Sequence, residues 1–255
     1  MKIASWNVNS LKVRLPQVLE WIGDHKPDVL AVQETKLRDE NFPAAEIDAA
    51  GYESVFSGQK TYNGVALLSR SPIEKVDTRF PDPETEERRT IAATVGGVRV
   101  VNLYVVNGQE VASEKYKYKL KWLDAVADYL RSQIEEWSDV VVVGDFNIAP
   151  EDSDVHDPEA WREEILCSTP EREALGKILK LGFHDVFRKF DQEEKSFSWW
   201  DYRAAAFRRN MGLRIDLVLA TDRLRNACVR CYIDKAPRKN ERPSDHAPVV
   251  AEFDL

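Results

Sequence analysis

The sequence predicts an α/β fold in which two mixed β-sheets pack together beneath a cover of helices. Three observations carry this expectation. Strand-like and helix-like apolar patterns alternate along the whole chain. Near the start, an amphipathic helical pattern joins two strand-like runs, as a parallel crossover requires. Further on, Gly96 and Gly97 separate two strand-like runs by a tight turn, which makes that pair antiparallel.

Residues 3–8 and 28–32 read as strands around a helix whose apolar face is Leu15, Val18, Leu19 and Ile22, spaced i, i+3, i+4, i+7. Pro16 is expected early in that helix, where a missing N–H is harmless. Residues 64–69, 90–95 and 99–105 read as strands, the last two forming the glycine hairpin. A long helix is expected from about residue 115 to 137, with Leu120, Leu123, Ala127, Leu130 and Ile134 on its buried stripe. Residues 140–144 read as a buried strand, 170–181 as a helix, and 214–220 and 248–253 as strands.

The 255 residues are 43% hydrophobic and 31% charged, which excludes a disordered or fibrous chain. The longest aliphatic run is the four valines at 140–143, far short of the ~18 residues of a membrane helix. The opening MKIASWNVNS lacks the apolar core of a signal peptide, so a cytoplasmic protein is expected. Three cysteines point to a reducing compartment rather than a disulfide framework. With no Pro/Gly/Ser-rich linker, residues 1–255 are expected to form one domain and to act as a monomer.

Thirty-six basic against 44 acidic residues give a net charge of −8, which by itself argues against nucleic acid. The distribution reverses that argument. Arg203, Arg208, Arg209 and Arg214 fall in an acid-free stretch, and Lys235, Arg238, Lys239 and Arg242 oppose only Glu241. Lys115, Lys117, Lys119 and Lys121 alternate with Tyr116 and Tyr118, while acid gathers at 82–87 and 151–164. These basic runs are candidate phosphate contacts, and Trp199, Trp200, Tyr202 and Phe207 beside the arginines suggest a DNA-contacting loop.

Polar residues recur where the expected strands begin or end. Trp6-Asn7-Val8-Asn9 closes the first strand, Gln33-Glu34-Thr35 the second, Tyr104 to Asn107 the hairpin strand, and Gly144-Asp145-Phe146-Asn147 the valine strand. Arg214-Ile215-Asp216 opens another, and Ser244-Asp245-His246 precedes the last. In α/β proteins such strand ends are where sites are built. Amides, carboxylates, a phenol and a histidine suit phosphodiester hydrolysis. Carboxylates with few histidines and no thiolate cluster favour Mg²⁺ or Mn²⁺ over zinc. A cation would neutralise phosphate charge, an aspartate would activate water, and a histidine backed by a second aspartate would hold a phosphate oxygen.

PDVLAVQETK (27–36), GDFN (144–147), NMGLRIDLVLAT (210–221) and SDHAP (244–248) resemble, in order and spacing, the exonuclease III and abasic-site endonuclease family. The opening WNVNSLKVRL is similar to its bacterial exonuclease III branch, and the resemblance spans nearly the whole chain. The wider group includes deoxyribonuclease I, inositol polyphosphate phosphatases and sphingomyelinases; QETK together with GLRID is more specific to the DNA repair enzymes. The resemblance implies a four-layer α/β sandwich. It implies metal binding by Glu34 with Asn7 and Asp245 nearby, water activation by Asp145, and orientation of Asp145 and the phosphate by Asn147. Tyr104 would contact the phosphate or leaving group, and His246 would stabilise the transition state while Asp216 fixes its tautomer. Asn107, Trp199, Leu213 and Ile215 fall where the family lines its pocket for a base-free sugar. Cys167 sits in the loop where family members differ most.

Other candidates have plainer readings. Cys228 and Cys231 have metal-like spacing but no second pair, so they read as core or edge positions of a strand. His25, His156 and His184 belong to no motif and read as structural. The expected function is a Mg²⁺-dependent DNA repair nuclease acting on duplex DNA with abasic sites, nicks or damaged 3′ ends. The alternatives are a phosphodiesterase or phosphatase for lipid or inositol phosphates, and a DNA-binding homologue without catalysis.

Overall fold

The computed structural model describes residues 1–80, 82 and 84–255. In chain order the elements are β1 (Lys2–Asn7), α1 (Leu11–His25), β2 (Val29–Gln33), α2 (Ala44–Ala49), β3 (Glu53–Ser57), β4 (Val65–Ser69), β5 (Glu74–Asp77), β6 (Thr90–Val95) and β7 (Val98–Tyr104). There follow α3 (Glu114–Glu136), β8 (Val140–Asp145), α4 (Thr169–Leu179), β9 (His184–Asp185), β10 (Asp216–Ala220), α5 (Asp222–Ala227), β11 (Cys228–Ile233) and β12 (Val249–Phe253). The strands form two six-stranded sheets, ordered β11-β12-β1-β2-β4-β3 and β5-β6-β7-β8-β10-β9. Each has one parallel pair at its centre, β1 with β2 and β7 with β8, crossed over by α1 and α3. The expected hairpin is β6 with β7.

Period-two alternation in the central strands builds the layers. Val29 and Ala31 of β2 face the second sheet and pack with Ile91, Val100, Val141 and Val218. The intervening Leu30 and Val32 face outward against Val18, Trp21 and Ile22 of α1. On the far side, Val101, Leu103, Val140 and Val142 meet Trp122, Leu123 and Val126 of α3 and Leu175 and Ile178 of α4. The result is the expected sandwich of helix, sheet, sheet and helix. No described helix is long and apolar enough to cross a membrane.

Two expectations need correction. Helix α1 begins at Leu11, so Pro16 lies inside it, on the exposed side, where the Lys12 carbonyl can turn to water in place of the missing N–H. The buried face of α3 is wider than the expected stripe, running through Tyr116, Lys119, Trp122, Val126, Tyr129 and Gln133, with Leu120 and Ile134 at its margin. The short edge strands β3, β5 and β9 gave no alternating apolar signal.

Candidate active site

The carboxyl ends of both parallel pairs open on the same side of the sandwich. In the first sheet Asn7 lies opposite Gln33, and in the second Tyr104 lies opposite Asp145. Antiparallel pairing then sets Asp216 opposite Asp145. Gly144 makes this approach possible: at φ 144° a Cβ there would sit 1.9 Å from the Leu103 carbonyl oxygen, so only glycine lets β8 close on β7. Just beyond the strand ends, Glu34 and Asn147 have φ of 53° and 50°, a sparsely populated conformation concentrated at functional sites.

Hydrogen bonds join these residues into one constellation. Asn7 Nδ2 donates to Glu34 Oε1 and to Asp145 Oδ2, each at 2.9 Å. The Asn147 backbone N–H donates to Asp145 Oδ1 at 2.9 Å, and Asn107 Nδ2 donates to Asn147 Oδ1 at 3.0 Å. His246 sets Nδ1 2.9 Å from Asp216 Oδ2 and Nε2 3.7 Å from Asp145 Oδ2. The Tyr104 hydroxyl lies beside Glu34, and the Arg89 guanidinium lies 4.7 Å from the centre of the Tyr104 ring. Asp245 stands apart, its oxygens accepting from Asn9 Nδ2 at 2.9 Å and Trp199 Nε1 at 3.0 Å.

Burial governs the electrostatics. Desolvation pushes the Asp145 carboxyl well above the usual range, reinforced by Asp216 and opposed by His246 and Asn7. For His246, burial disfavours the cation, yet the Asp216 and Asp145 carboxylates outweigh it and raise the imidazole to about 10. Burial and the neighbouring Glu34 raise Tyr104 further, so it remains a neutral phenol and a hydrogen-bond donor.

The donor set suits a hard cation. Glu34 Oε2 already holds a positive group, the Lys36 ammonium at 2.8 Å, and the Asp145 carboxylate shares the Asn7 amide with it. Oxygen donors without a thiolate match Mg²⁺ or Mn²⁺ chemistry. Asp245 connects to Glu34 through Asn9 and Lys36: Asn9 donates to Asp245, and its Oδ1 accepts from Lys36 Nζ at 2.5 Å. Ligand atoms of Asp145, Asp216 and His246 also lie within 4.8 Å of one another, but there His246 Nδ1 is committed to Asp216.

Beside this cluster, Leu213, Ile215 and Trp199 form an apolar wall with Val155, Leu166 and Cys167. The expected phosphate-binding cations divide into two groups. Arg208 and Arg209 are exposed, with no ion pair among the described residues. Arg214 is instead buried between Asp154 and Asp185, both at 2.7 Å, and Arg203 pairs with Asp201. Arg238 is buried against Trp200, Tyr202 and Phe207 and donates to the Ser244 carbonyl. Lys119 is buried on Glu171, while Lys117 and Lys121 pair with Glu114 and Glu84. Trp200 is likewise core. All three cysteines are buried and free.

Sequence reasoning missed Ser198, whose hydroxyl donates to Asp216 Oδ2 at 2.6 Å while accepting the N–H groups of Ile215 and Asp216. A lone serine before two tryptophans carries no local signal for this. Lys36 and Asn9 stood inside quoted motifs without an assigned task; their role appears only once the two loops meet.

The pattern of the Endonuclease/Exonuclease/phosphatase family matches residues 4–246. The chain is similar to exodeoxyribonuclease III of Haemophilus influenzae, with 36% identity over 266 residues covering 99% of this chain and all of that protein. Among solved structures it resembles a 3′ phosphatase, NExo, from Neisseria bound to product DNA hairpin, at 48% identity and a TM-score of 0.98. An AP endonuclease from Archaeoglobus fulgidus is similar at 43% and 0.96; both matches cover all of each chain.

Proposed function

The chain belongs to the Endonuclease/Exonuclease/phosphatase family, and we propose that it is a Mg²⁺-dependent DNA repair nuclease that hydrolyses phosphodiesters at abasic sites and at blocked or recessed 3′ ends. The observation that carries this reading is the Asp145 carboxylate, held by the Asn7 amide and the Asn147 N–H and facing a histidine locked on Asp216.

Glu34 and Asn7 would hold the cation, with Asp245 linked to them through Asn9 and Lys36. A divalent cation held there would supply charge neutralisation to the phosphate and to the leaving oxygen. Asp145 orients the attacking water and takes its proton as the oxygen bonds to phosphorus and the bond to the leaving sugar breaks. Its raised affinity for protons suits a base working near neutral pH. His246 enters as an imidazolium whose Nε2–H donates to a phosphate oxygen as charge grows there, and Asp216 and Ser198 fix the ring. Asn147 orients Asp145 and the phosphate, Asn107 lines the sugar pocket beside it, and the neutral Tyr104 hydroxyl contacts the phosphate or the leaving group. The wall of Trp199, Leu213 and Ile215 receives a sugar without its base, and Arg208 and Arg209 hold DNA phosphates outside.

The test compares three labelled duplexes, carrying an abasic site, a nick with a 3′ phosphate, and a recessed normal 3′ end. Cleavage that requires Mg²⁺ or Mn²⁺ is expected. Phosphate release from lipid or inositol phosphates with none from DNA would overturn the reading.

A further inference from the structure

The buried face of α3 is interrupted by a charged residue. Lys119 is wholly buried, and its ammonium uses all three of its donors: one to the Asn107 carbonyl at 3.1 Å, one to the Asn147 carbonyl at 2.7 Å, and one to Glu171 Oε1. Glu171, also wholly buried, lies in the first turn of α4 and accepts from the Leu166 N–H at 3.2 Å, the Ser168 N–H at 3.1 Å and the Ser168 hydroxyl at 2.6 Å. The loop after β7 crosses directly over the lysine stem, since a Cβ at Gly108 would lie 3.1 Å from Lys119 Cδ. One ion pair therefore fixes three loops, carrying Asn107, Asn147 and the pocket wall at Leu166 and Cys167.

Stability alone does not call for charge at this place. Buried ion pairs are commonly replaced by apolar side chains of similar volume at no loss, because desolvation offsets their attraction. What an apolar pair could not do is locate two carbonyls belonging to residues whose own amides meet each other at 3.0 Å. We propose that Lys119 and Glu171 are positioning residues for the reaction, setting where the Asn147 amide stands against Asp145 and where the Asn107 amide stands against the wall that receives the sugar. This rests on the nuclease reading of the same site.

The experiment removes both charges at constant volume in Lys119→Met/Glu171→Gln and follows single-turnover cleavage of an abasic duplex together with duplex affinity in EDTA. Misplacement of reacting groups by even 1 Å can cost about 100-fold, so a rate reduced by about 10- to 100-fold is expected, with affinity changed less than about threefold. In parallel, the Lys119 ammonium of ¹⁵N-labelled wild-type protein should shift when inorganic phosphate saturates the site, a readout independent of whether the variant folds. A folded variant that cleaves at the wild-type rate, one that loses affinity in proportion to rate, or a wild-type ammonium indifferent to phosphate overturns the proposal. Wild-type protein that cleaves none of the three duplexes would instead defeat the nuclease reading.

Discussion

His246, in the loop that leads into β12 of one sheet, and Asp216, at the start of β10 in the other, set their side chains 2.9 Å apart in a buried contact. The imidazole is thereby held in one tautomer with Nε2 directed toward Asp145. Asp216→Asn keeps the shape but removes the charge that orients and charges the ring. Turnover should fall by about 100-fold with DNA affinity nearly intact, as single-turnover kinetics and binding in EDTA would measure. Normal rates would remove both residues from the mechanism.

The same contact makes stability depend on pH. An imidazole with an ordinary pKa near 6.5 is raised to about 10 in the folded chain, so its pairing contributes fully below 6.5 and is lost as pH rises through 10. Asp145, also raised, adds a loss in the same direction at lower pH. Denaturant midpoints in EDTA should therefore decline from pH 6.5 to 10 in the wild type and decline less in Asp216→Asn. A flat wild-type profile would contradict this.

Glu34→Gln keeps the bond from Asn7 but loses the charge that attracts a cation. Circular dichroism should show a folded protein, and activity in millimolar Mg²⁺ should fall by about 100-fold. A wild-type rate would show that Glu34 does not hold the metal.

Arg208 and Arg209 are exposed, and each phosphate contact contributes roughly −0.9 to the slope of log affinity against log salt. Replacing both with Ala should weaken duplex binding and flatten that slope by up to about two units, leaving hydrolysis of a small phosphodiester unchanged. Trp199→Ala should instead lower the preference for abasic over intact DNA at a constant slope. Because Trp199 also donates to Asp245, Trp199→Phe separates the wall from the hydrogen bond.

At Gly144, alanine would bring its methyl group against the Leu103 carbonyl in a conformation that L-residues seldom adopt. The cost should be at least about 2 kcal/mol, read from denaturant unfolding. A variant of wild-type stability would mean that β7 and β8 can separate locally.

The sequence made the strand ends legible because short polar clusters there interrupt apolar runs, and Asn7, Glu34, Tyr104, Asp145, Asn147, Asp216 and His246 do converge. It could not say which cations face solvent. Lys119 and Arg214 look like their exposed neighbours, and their partners Glu171 and Asp154 lie 52 and 60 positions away. Arg238 was hidden for a related reason, since the rings that cover it come from the loop between β9 and β10, three elements earlier in the chain. Ser198 sits in a bend beside the isolated bridge made by Trp199, a local shape that leaves no periodic trace.

Strand β12 lies between β11 and β1, and Trp6 Nε1 donates to the His246 carbonyl across 240 positions of chain. During synthesis, then, Glu34 and Asp145 leave the ribosome well before the residue that completes their chemistry. Contacts so distant in sequence form late, after the loop entropy of the intervening chain has been overcome. On the proposed mechanism, a nascent or truncated chain ending before residue 246 should not nick DNA, and cleavage should begin only when β1 and β12 have found each other.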